Sequence, residues 1–119
     1  MLPATNIDVS TRPGHLVLAV AGELDFETCP GVSRVTEVLP LRGQTLTVDL
    51  SSVTFIDSSG LHLLLALRRR ADREGASLEL AGVPQHALRM LELAGARGLF
   101  TVIPAPHPRP GLPPVRRLP

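Results

Sequence analysis

The 119-residue chain contains no tryptophan, no tyrosine, three phenylalanines and one cysteine. So few aromatic side chains argue against the stacking platforms that bind single-stranded nucleic acid, and they leave leucine, valine, isoleucine and alanine to build the core. The single Cys29 cannot form an internal disulfide, which favours a reducing compartment. The formal net charge of +1 is too close to neutral to indicate nucleic acid or an anionic membrane as a partner.

The sequence also lacks the features of a targeting or membrane-spanning segment. Residues 1–6 have neither the basic start nor the apolar run of a signal peptide. No apolar stretch approaches the roughly 20 residues that cross a bilayer, so we expect a cytoplasmic protein. The chain is rich in proline from residue 104 onward. We therefore predict one folded domain over residues 1–103 and an extended, disordered tail over residues 104–119.

Apolar periodicity and the positions of proline and glycine predict the order β-β-α-β-α-β-α-β. Strands at residues 7–10 and 16–21 should form a hairpin around Pro13 and Gly14. The other predicted strands cover residues 45–50, 78–82 and 100–103, and the helices begin near Thr28 or Cys29, near Ser59, and at Pro84. This alternation indicates an α/β domain, a mixed sheet packed against helices, with a parallel crossover over residues 46–81.

The same periodicity predicts which side chains face the core. The first helix should bury Val32, Val35, Val38 and Leu39, and the third should bury Leu88, Leu91 and Ala94 or Gly95. After a polar turn that follows Leu50, Phe55 and Ile56 should return to the core. The arginines at positions 68, 69, 70 and 73 are expected to form a solvated helix end rather than a nucleic-acid patch.

The segment on which the functional interpretation rests is residues 48–61, where an apolar strand leads into an apolar helix. The side-chain oxygen of Asp57 or Ser58 can accept hydrogen bonds from backbone N–H groups at the helix start. Ser59 should then lie in the first turn. A phosphate there would meet free N–H donors and a dipole field worth roughly 0.3–1 kcal/mol at an exposed site. It would add about two negative charges. Ser59 is therefore a candidate switch, and the alternative is that the serines only cap the helix.

Three segments carry a resemblance to a known family. They are Gly-Glu-Leu-Asp at residues 22–25, Asp-Ser-Ser-Gly-Leu at residues 57–61 after the strand that contains Val48, and residues 78–83 together with 91–95. The second segment alone is weak, but it becomes specific within this strand–helix context. The sequence resembles STAS-domain proteins of the anti-sigma factor antagonist type, bacterial regulators that reverse anti-sigma inhibition by partner switching.

This resemblance implies that Ser59 is phosphorylated by an anti-sigma factor that is also a serine kinase, and that a serine phosphatase reverses the modification. Unphosphorylated protein would bind the kinase, and phosphoprotein would be rejected. The resemblance implies no cofactor and no enzymatic activity. The implied partner-binding residues are Asp25, Asp57, Ser58, Ser59, Gly60 and His62. His62 departs from the small, aliphatic or basic residue expected at its position, and the proline-rich tail has no counterpart in the family pattern.

Other interpretations of these residues are weaker. Asp25 and Asp57 can be read as an acid–base pair, but aspartate near a helix start is ordinarily structural. A serine hydrolase needs a base beside Ser59, and the chain has no Gly-x-Ser-x-Gly elbow. The four histidines and Cys29 lack metal-ligand spacing. A different class of function, a non-switching STAS subunit of a membrane-associated transporter assembly, is the alternative.

Overall fold

The computed structural model of the chain describes residues 5–105. Its elements are β1 (Thr5–Arg12), β2 (His15–Leu24), α1 (Cys29–Glu37), β3 (Thr45–Ile56), α2 (Ser58–Glu74), β4 (Ser77–Ala81), α3 (Gln85–Leu93), a 3₁₀ turn (Arg97–Leu99) and β5 (Thr101–Ile103). The predicted order β-β-α-β-α-β-α-β is confirmed. The tail prediction lies, from residue 106 onward, outside the described residues.

The five strands form one mixed sheet in the order β1-β2-β3-β4-β5. β1 and β2 pair antiparallel as the predicted hairpin, and β2, β3, β4 and β5 pair as parallel neighbours. Because parallel strands end on the same side of a sheet, the carboxyl ends of β2 and β3 lie together, with Leu24 opposite Ile56. Both α1 and α2 begin at this end of the sheet.

The core lies between one face of the sheet and the three helices. Leu18, Val48 and Leu80 are at most 1% exposed and belong to one buried cluster that also contains Val32 of α1 and Leu64 of α2. Aliphatic side chains fill its centre, as the composition predicts. Thr47 is buried on the other face of β3, where its Oγ1 lies 2.8 Å from Nε2 of His15, so its polar atom has a partner.

β3 is six residues longer than predicted, because β2 keeps pairing with it beyond Leu50. Two register shifts in this pairing carry the ladder past the expected polar turn to Ile56. Ile56 is buried, as predicted, but Phe55 is 48% exposed. The predicted burial of Phe55 is wrong because side chains alternate along a strand, and Ile56 takes the core side.

The ends of two helices also differ from the prediction. α1 ends one residue before Val38, which is 78% exposed, and Thr36 is buried instead. α3 ends before Ala94 and Gly95, and both are exposed. Once the helical geometry stops, the 3.6-residue period no longer points the next side chain at the core, so the predicted burial of these positions fails.

Arg70 is not the solvated helix end that the sequence suggests. Its guanidinium donates hydrogen bonds to the carbonyl oxygens of Thr36 and Leu39, and its Nε donates to Oε2 of Glu74 at 2.7 Å. The side chain is only 20% exposed. Thr36 lies in the last turn of α1 and Leu39 in the segment after it, so Arg70 of α2 caps the end of α1 and joins the two helices.

We expect Arg70→Ala to lower the free energy of unfolding by about 2 kcal/mol, because two carbonyl oxygens lose a charged donor. The exposed neighbour Arg69 provides the control, and Arg69→Ala should change it by about 0.5 kcal/mol or less. Arg70→Lys should recover only part of the loss, since an ammonium lacks the forked donors of guanidinium. Urea denaturation measures all three. Equal losses for the two alanine variants would contradict the capping role.

Candidate functional site

Asp57 begins α2. Its backbone is extended, with φ −116° and ψ −168°, and its Oδ1 accepts hydrogen bonds from the N–H groups of Ser59 at 2.8 Å and Gly60 at 3.4 Å. Asp57 is therefore the N-cap, one of the two residues that the sequence proposes for this role, and Ser58 is the first helical residue. The prediction that a phosphate would meet free donors here is wrong for these two N–H groups, because both already donate to Asp57.

Ser59 is the second residue of α2 and is half-buried. The predicted position in the first helical turn is confirmed. Ser58 before it and His62 one turn later are exposed, so Ser59 lies among accessible polar side chains and not inside the apolar interior. A reagent or partner that approaches the start of α2 meets these three residues together.

Gly60 lets α2 begin close against the sheet. A Cβ atom at this position would lie 2.5 Å from Cγ1 of Ile56 and 2.8 Å from the carbonyl oxygen of Leu24, both closer than real Cβ contacts allow. The N–H of Asp57 donates to the same carbonyl oxygen at 3.3 Å. Because a side chain does not fit in this buried position, Gly60 allows the start of α2 to lie against the end of β2.

We expect Gly60→Ala to lower the free energy of unfolding by about 2 kcal/mol, because the added methyl overlaps atoms that cannot all move away. Gly31 in α1 is the matched control, since a Cβ there meets nothing within 4 Å. Gly31→Ala should raise stability by up to about 1 kcal/mol through helix propensity. Thermal denaturation compares the pair. A stabilising Gly60→Ala substitution would show that the close approach is not real.

Asp25 is held in the turn between β2 and α1. Its Oδ1 accepts hydrogen bonds from the N–H groups of Glu27 at 3.0 Å and Thr28 at 3.1 Å. The buried Thr28 hydroxyl accepts from the N–H of Asp25 at 2.9 Å and donates to the carbonyl oxygen of Glu23 at 2.8 Å. Asp25 therefore precedes α1, as predicted, and its half-buried carboxylate is paired with backbone donors.

Asp25 and Asp57 lie at the same end of the sheet, because the residues before them, Leu24 and Ile56, are paired and the N–H of Asp57 donates to the carbonyl oxygen of Leu24. The Cys29 thiol is buried, and burial together with the negative charges of Asp57 and Asp25 raises its pKa from 9.0 to about 11. The negative charges of both carboxylates therefore act on the thiol at the start of α1. We call this region the serine end; it comprises residues 23–29 and 55–62. Asp25, Asp57, Ser58, Ser59, Gly60 and His62 all belong to it.

The raised pKa of Cys29 predicts a loss of stability at alkaline pH. Above pH 9 the unfolded chain releases the thiol proton first, so the free energy of unfolding should fall as the pH rises to about 11, by about 2 kcal/mol in all. The chain has no lysine and no tyrosine to titrate in this range. Cys29→Ala should flatten the dependence in urea denaturation at pH 8 to 11. An unchanged slope in that variant would contradict the assignment.

The serine end also carries two exposed phenylalanines that the sequence did not identify as surface residues. Phe26, beside Asp25, is 79% exposed, and Phe55, two residues before Asp57, is 48% exposed. The sequence signal was available, because two of the three phenylalanines lie within two residues of the two aspartates. The carboxylates themselves accept backbone hydrogen bonds, an arrangement typical of structural caps.

Two further findings limit the kinds of site present. Within residues 5–105, no group of three or more histidine, cysteine, aspartate or glutamate side chains could hold a metal ion. No helix in the described part of the chain is long and apolar enough to cross a membrane. The serine end is a surface of polar side chains, two carboxylates that accept backbone hydrogen bonds, and two exposed aromatic rings.

Residues 7–103 match the family model described as "Mlab, STAS domain". Since the match covers most of the chain, this protein belongs to the STAS domain family. The α/β architecture that the sequence resemblance implies is confirmed.

The chain is also similar to bacterial proteins named anti-sigma-B factor antagonists. The chain is 24% identical over 97 residues to the anti-sigma-B factor antagonist of Bacillus subtilis (strain 168), covering 82% of this chain and 89% of the relative. It is 29% identical over 99 residues to the protein of the same name from Listeria monocytogenes, covering 82% and 87%.

Solved structures show the same fold. An anti-sigma factor antagonist from Mycobacterium paratuberculosis superposes with a TM-score of 0.73 at 26% identity, covering 83% of this chain and 85% of that one. A sulfate transporter family protein from Wolinella succinogenes gives a TM-score of 0.68 at 20% identity, covering 79% and 80%. The second likeness concerns the fold alone.

Proposed function

We propose that this protein is an anti-sigma factor antagonist that acts by partner switching in the cytoplasm. The unphosphorylated form binds an anti-sigma factor with serine kinase activity, phosphorylation of Ser59 releases it, and a serine phosphatase restores the binding form. The protein acts as a binding module without catalysis of its own. The observation that carries the proposal is the half-buried Ser59 in the first turn of α2, flanked by exposed side chains.

The local hydrogen bonds support a modification that changes the surface without unfolding the domain. Asp57 fixes the backbone of Ser59, and the helix is anchored further along by Leu63, Leu64 and Leu67, which are at most 9% exposed. A phosphate on the hydroxyl adds charge outside this buried stripe. Its effect is therefore exerted on a docking partner rather than on the core.

The hydrogen bonds at the serine end favour release of the partner, rather than tighter binding, when Ser59 is phosphorylated. Asp57 already takes the N–H groups of Ser59 and Gly60, so a phosphate on Ser59 lacks these donors and depends on water for stabilisation. A partner that covers Ser59 must remove this water. Burial of an unpaired dianion costs several kcal/mol, enough to reduce affinity by orders of magnitude.

The proposal predicts opposite results for two substitutions at one position. Ser59→Ala should keep the affinity for the anti-sigma kinase within about threefold, whereas Ser59→Asp should weaken it tenfold or more, since each tenfold is about 1.4 kcal/mol. Isothermal titration with the purified anti-sigma kinase measures both. Equal affinities for the two variants would show that charge at this position does not control binding.

The phosphorylation site itself is tested by incubation with the kinase and ATP, followed by mass spectrometry. Ser59→Ala should abolish phosphate incorporation, and Ser58→Ala, at the exposed neighbouring hydroxyl, should not. Phosphate on Ser58, or none on either serine, would contradict the proposal. Co-purification of an unmodified protein with membrane transporter subunits would instead favour the non-switching alternative.

A further inference from the structure

β1 forms one edge of the five-stranded sheet and is the longer of its two edge strands. It pairs with β2 over all eight residues, from Thr5 to Arg12, without a register shift. Within residues 5–105 no strand pairs with its outer side, because the sheet ends there. Every second residue of an edge strand directs its backbone N–H and C=O away from the sheet, so this side offers a row of hydrogen-bond donors and acceptors.

The other edge of the sheet has features that prevent pairing with a further strand. β5 has only three residues, Thr101–Ile103, and Pro104 follows it directly. A very short edge strand offers few hydrogen bonds, and proline has no N–H to donate to a ladder. β1 contains no proline, no lysine and no bulge. Its outer side therefore lacks these protections and is open to a partner strand.

The apolar side chains of β1 are less covered than those of β2. Ile7 and Val9 pair with Val20 and Leu18 of β2, so they face the core side of the sheet. Val20 and Leu18 are at most 2% exposed, whereas Ile7 and Val9 are only half-buried at the margin of the core cluster. A strand added beyond β1 would cover the exposed part of these two side chains and extend the core.

Two opposite charges lie on the other face of β1. Asp8 and Arg12 pair with Ala19 and His15 of β2, so both side chains are on the face away from the helices. They are four residues apart, about 13 Å along a strand, which is too far for an ion pair between them. Among the residues that the structure describes, neither Asp8 nor Arg12 forms an ion pair or a side-chain hydrogen bond. Both charges are therefore available to a partner.

We propose that the outer side of β1 pairs antiparallel with β1 of a second copy of this chain. A contact about a two-fold axis requires one surface that complements itself. With the axis at Ser10, residues 8–12 of the two copies lie side by side, and Asp8 of each copy lies opposite Arg12 of the partner subunit. Directly opposite residues of two strands point to the same face, so two ion pairs form at once.

The charges select the second copy as the partner and also fix the register. A second copy supplies the cation that Asp8 lacks and the anion that Arg12 lacks. With the axis at Asp8, two carboxylates would face each other, and with the axis at Val9 neither charge would meet its opposite. The overlap of five residues in the favoured register is a common strand length.

The antiparallel pairing closes the assembly and keeps both serine ends accessible. The two edges that remain are both β5, which is short, so growth stops at the dimer. β1 runs antiparallel to β2, whose carboxyl end belongs to the serine end. The two-fold axis reverses the second sheet, so the two serine ends lie at opposite ends of a ten-stranded sheet. Dimerisation through β1 is thus independent of the proposed function.

The test is a charge-reversal cycle on the full chain, measured by sedimentation equilibrium from about 1 μM to 1 mM, the range of weak specific contacts. The wild-type chain should pass from monomer to dimer within this range. Asp8→Arg and Arg12→Asp should each raise the dissociation constant about tenfold or more, because each turns two attractive contacts into two repulsive ones. The double variant Asp8→Arg/Arg12→Asp should restore the wild-type constant within about threefold, since opposite charges meet again.

Glu92→Arg provides the matched control, because it makes the same change of charge as Asp8→Arg at another exposed site. Glu92 lies on α3, which contacts β3 through His86 rather than the β1 edge. This substitution should leave the dissociation constant unchanged. Thermal denaturation of every variant should give a midpoint within a few degrees of wild type, because none of the positions belongs to the buried core.

Rescue by the double variant, after weakening by both single variants, is the result expected only if Asp8 and Arg12 meet across the contact. A wild-type chain that stays monomeric at the highest concentration overturns the proposal. A dimer that survives both single reversals, or one that Glu92→Arg weakens as much as Asp8→Arg does, also overturns it, because the contact would then lie elsewhere on the surface.

Discussion

The approach of α2 to the carbonyl oxygen of Leu24 is the constraint on which the serine end depends. Only a residue without Cβ fits at Gly60, where a Cβ would lie 2.8 Å from that oxygen. Because α2 begins so close to the end of β2, its N-cap Asp57 comes near the turn that holds Asp25. Burial and the negative charges of Asp57 and Asp25 together raise the pKa of the Cys29 thiol to about 11. A single close contact thus assembles residues that are more than 30 positions apart in the chain.

Helical geometry explains why Ser59 is half-buried rather than fully exposed or sealed. The buried stripe of α2 runs through Gly60, Leu63, Leu64, Leu67 and Ala71. Ser59 lies four residues before Leu63, at the end of that stripe, where β3 has already ended at Ile56. Its side chain therefore leaves the core at the point where the sheet stops covering the helix. A serine one turn further along the stripe would be buried, and one on the opposite face would be remote from the β2–α1 turn.

Local signals in the sequence determined most of the fold, and non-local contacts account for what it missed. Helix starts at Cys29 and Ser58 follow from Pro30 and Asp57, which act within a few residues. The extension of β3 depends on register shifts against β2, and the role of Arg70 depends on carbonyls 31 and 34 positions away. Neither the register shifts nor the Arg70 hydrogen bonds leave a periodic pattern in the sequence. The neighbouring positions of Asp25 and Asp57 were implied by family resemblance, and no spacing rule could have supplied them.

A carboxylate and a phosphate differ at this surface in their access to backbone N–H donors, because the two aspartates already accept from these donors. Asp25 and Asp57 each use Oδ1 to accept two N–H groups of their own chain, so these donors are already occupied. A phosphate placed on Ser59 would find the donors at the start of α2 already taken. It must displace Asp57 and uncap α2, or remain hydrated. Capping by Asp57 and binding of such a phosphate would therefore compete for the same N–H groups, so the N-cap that stabilises the helix would also keep an added phosphate in water.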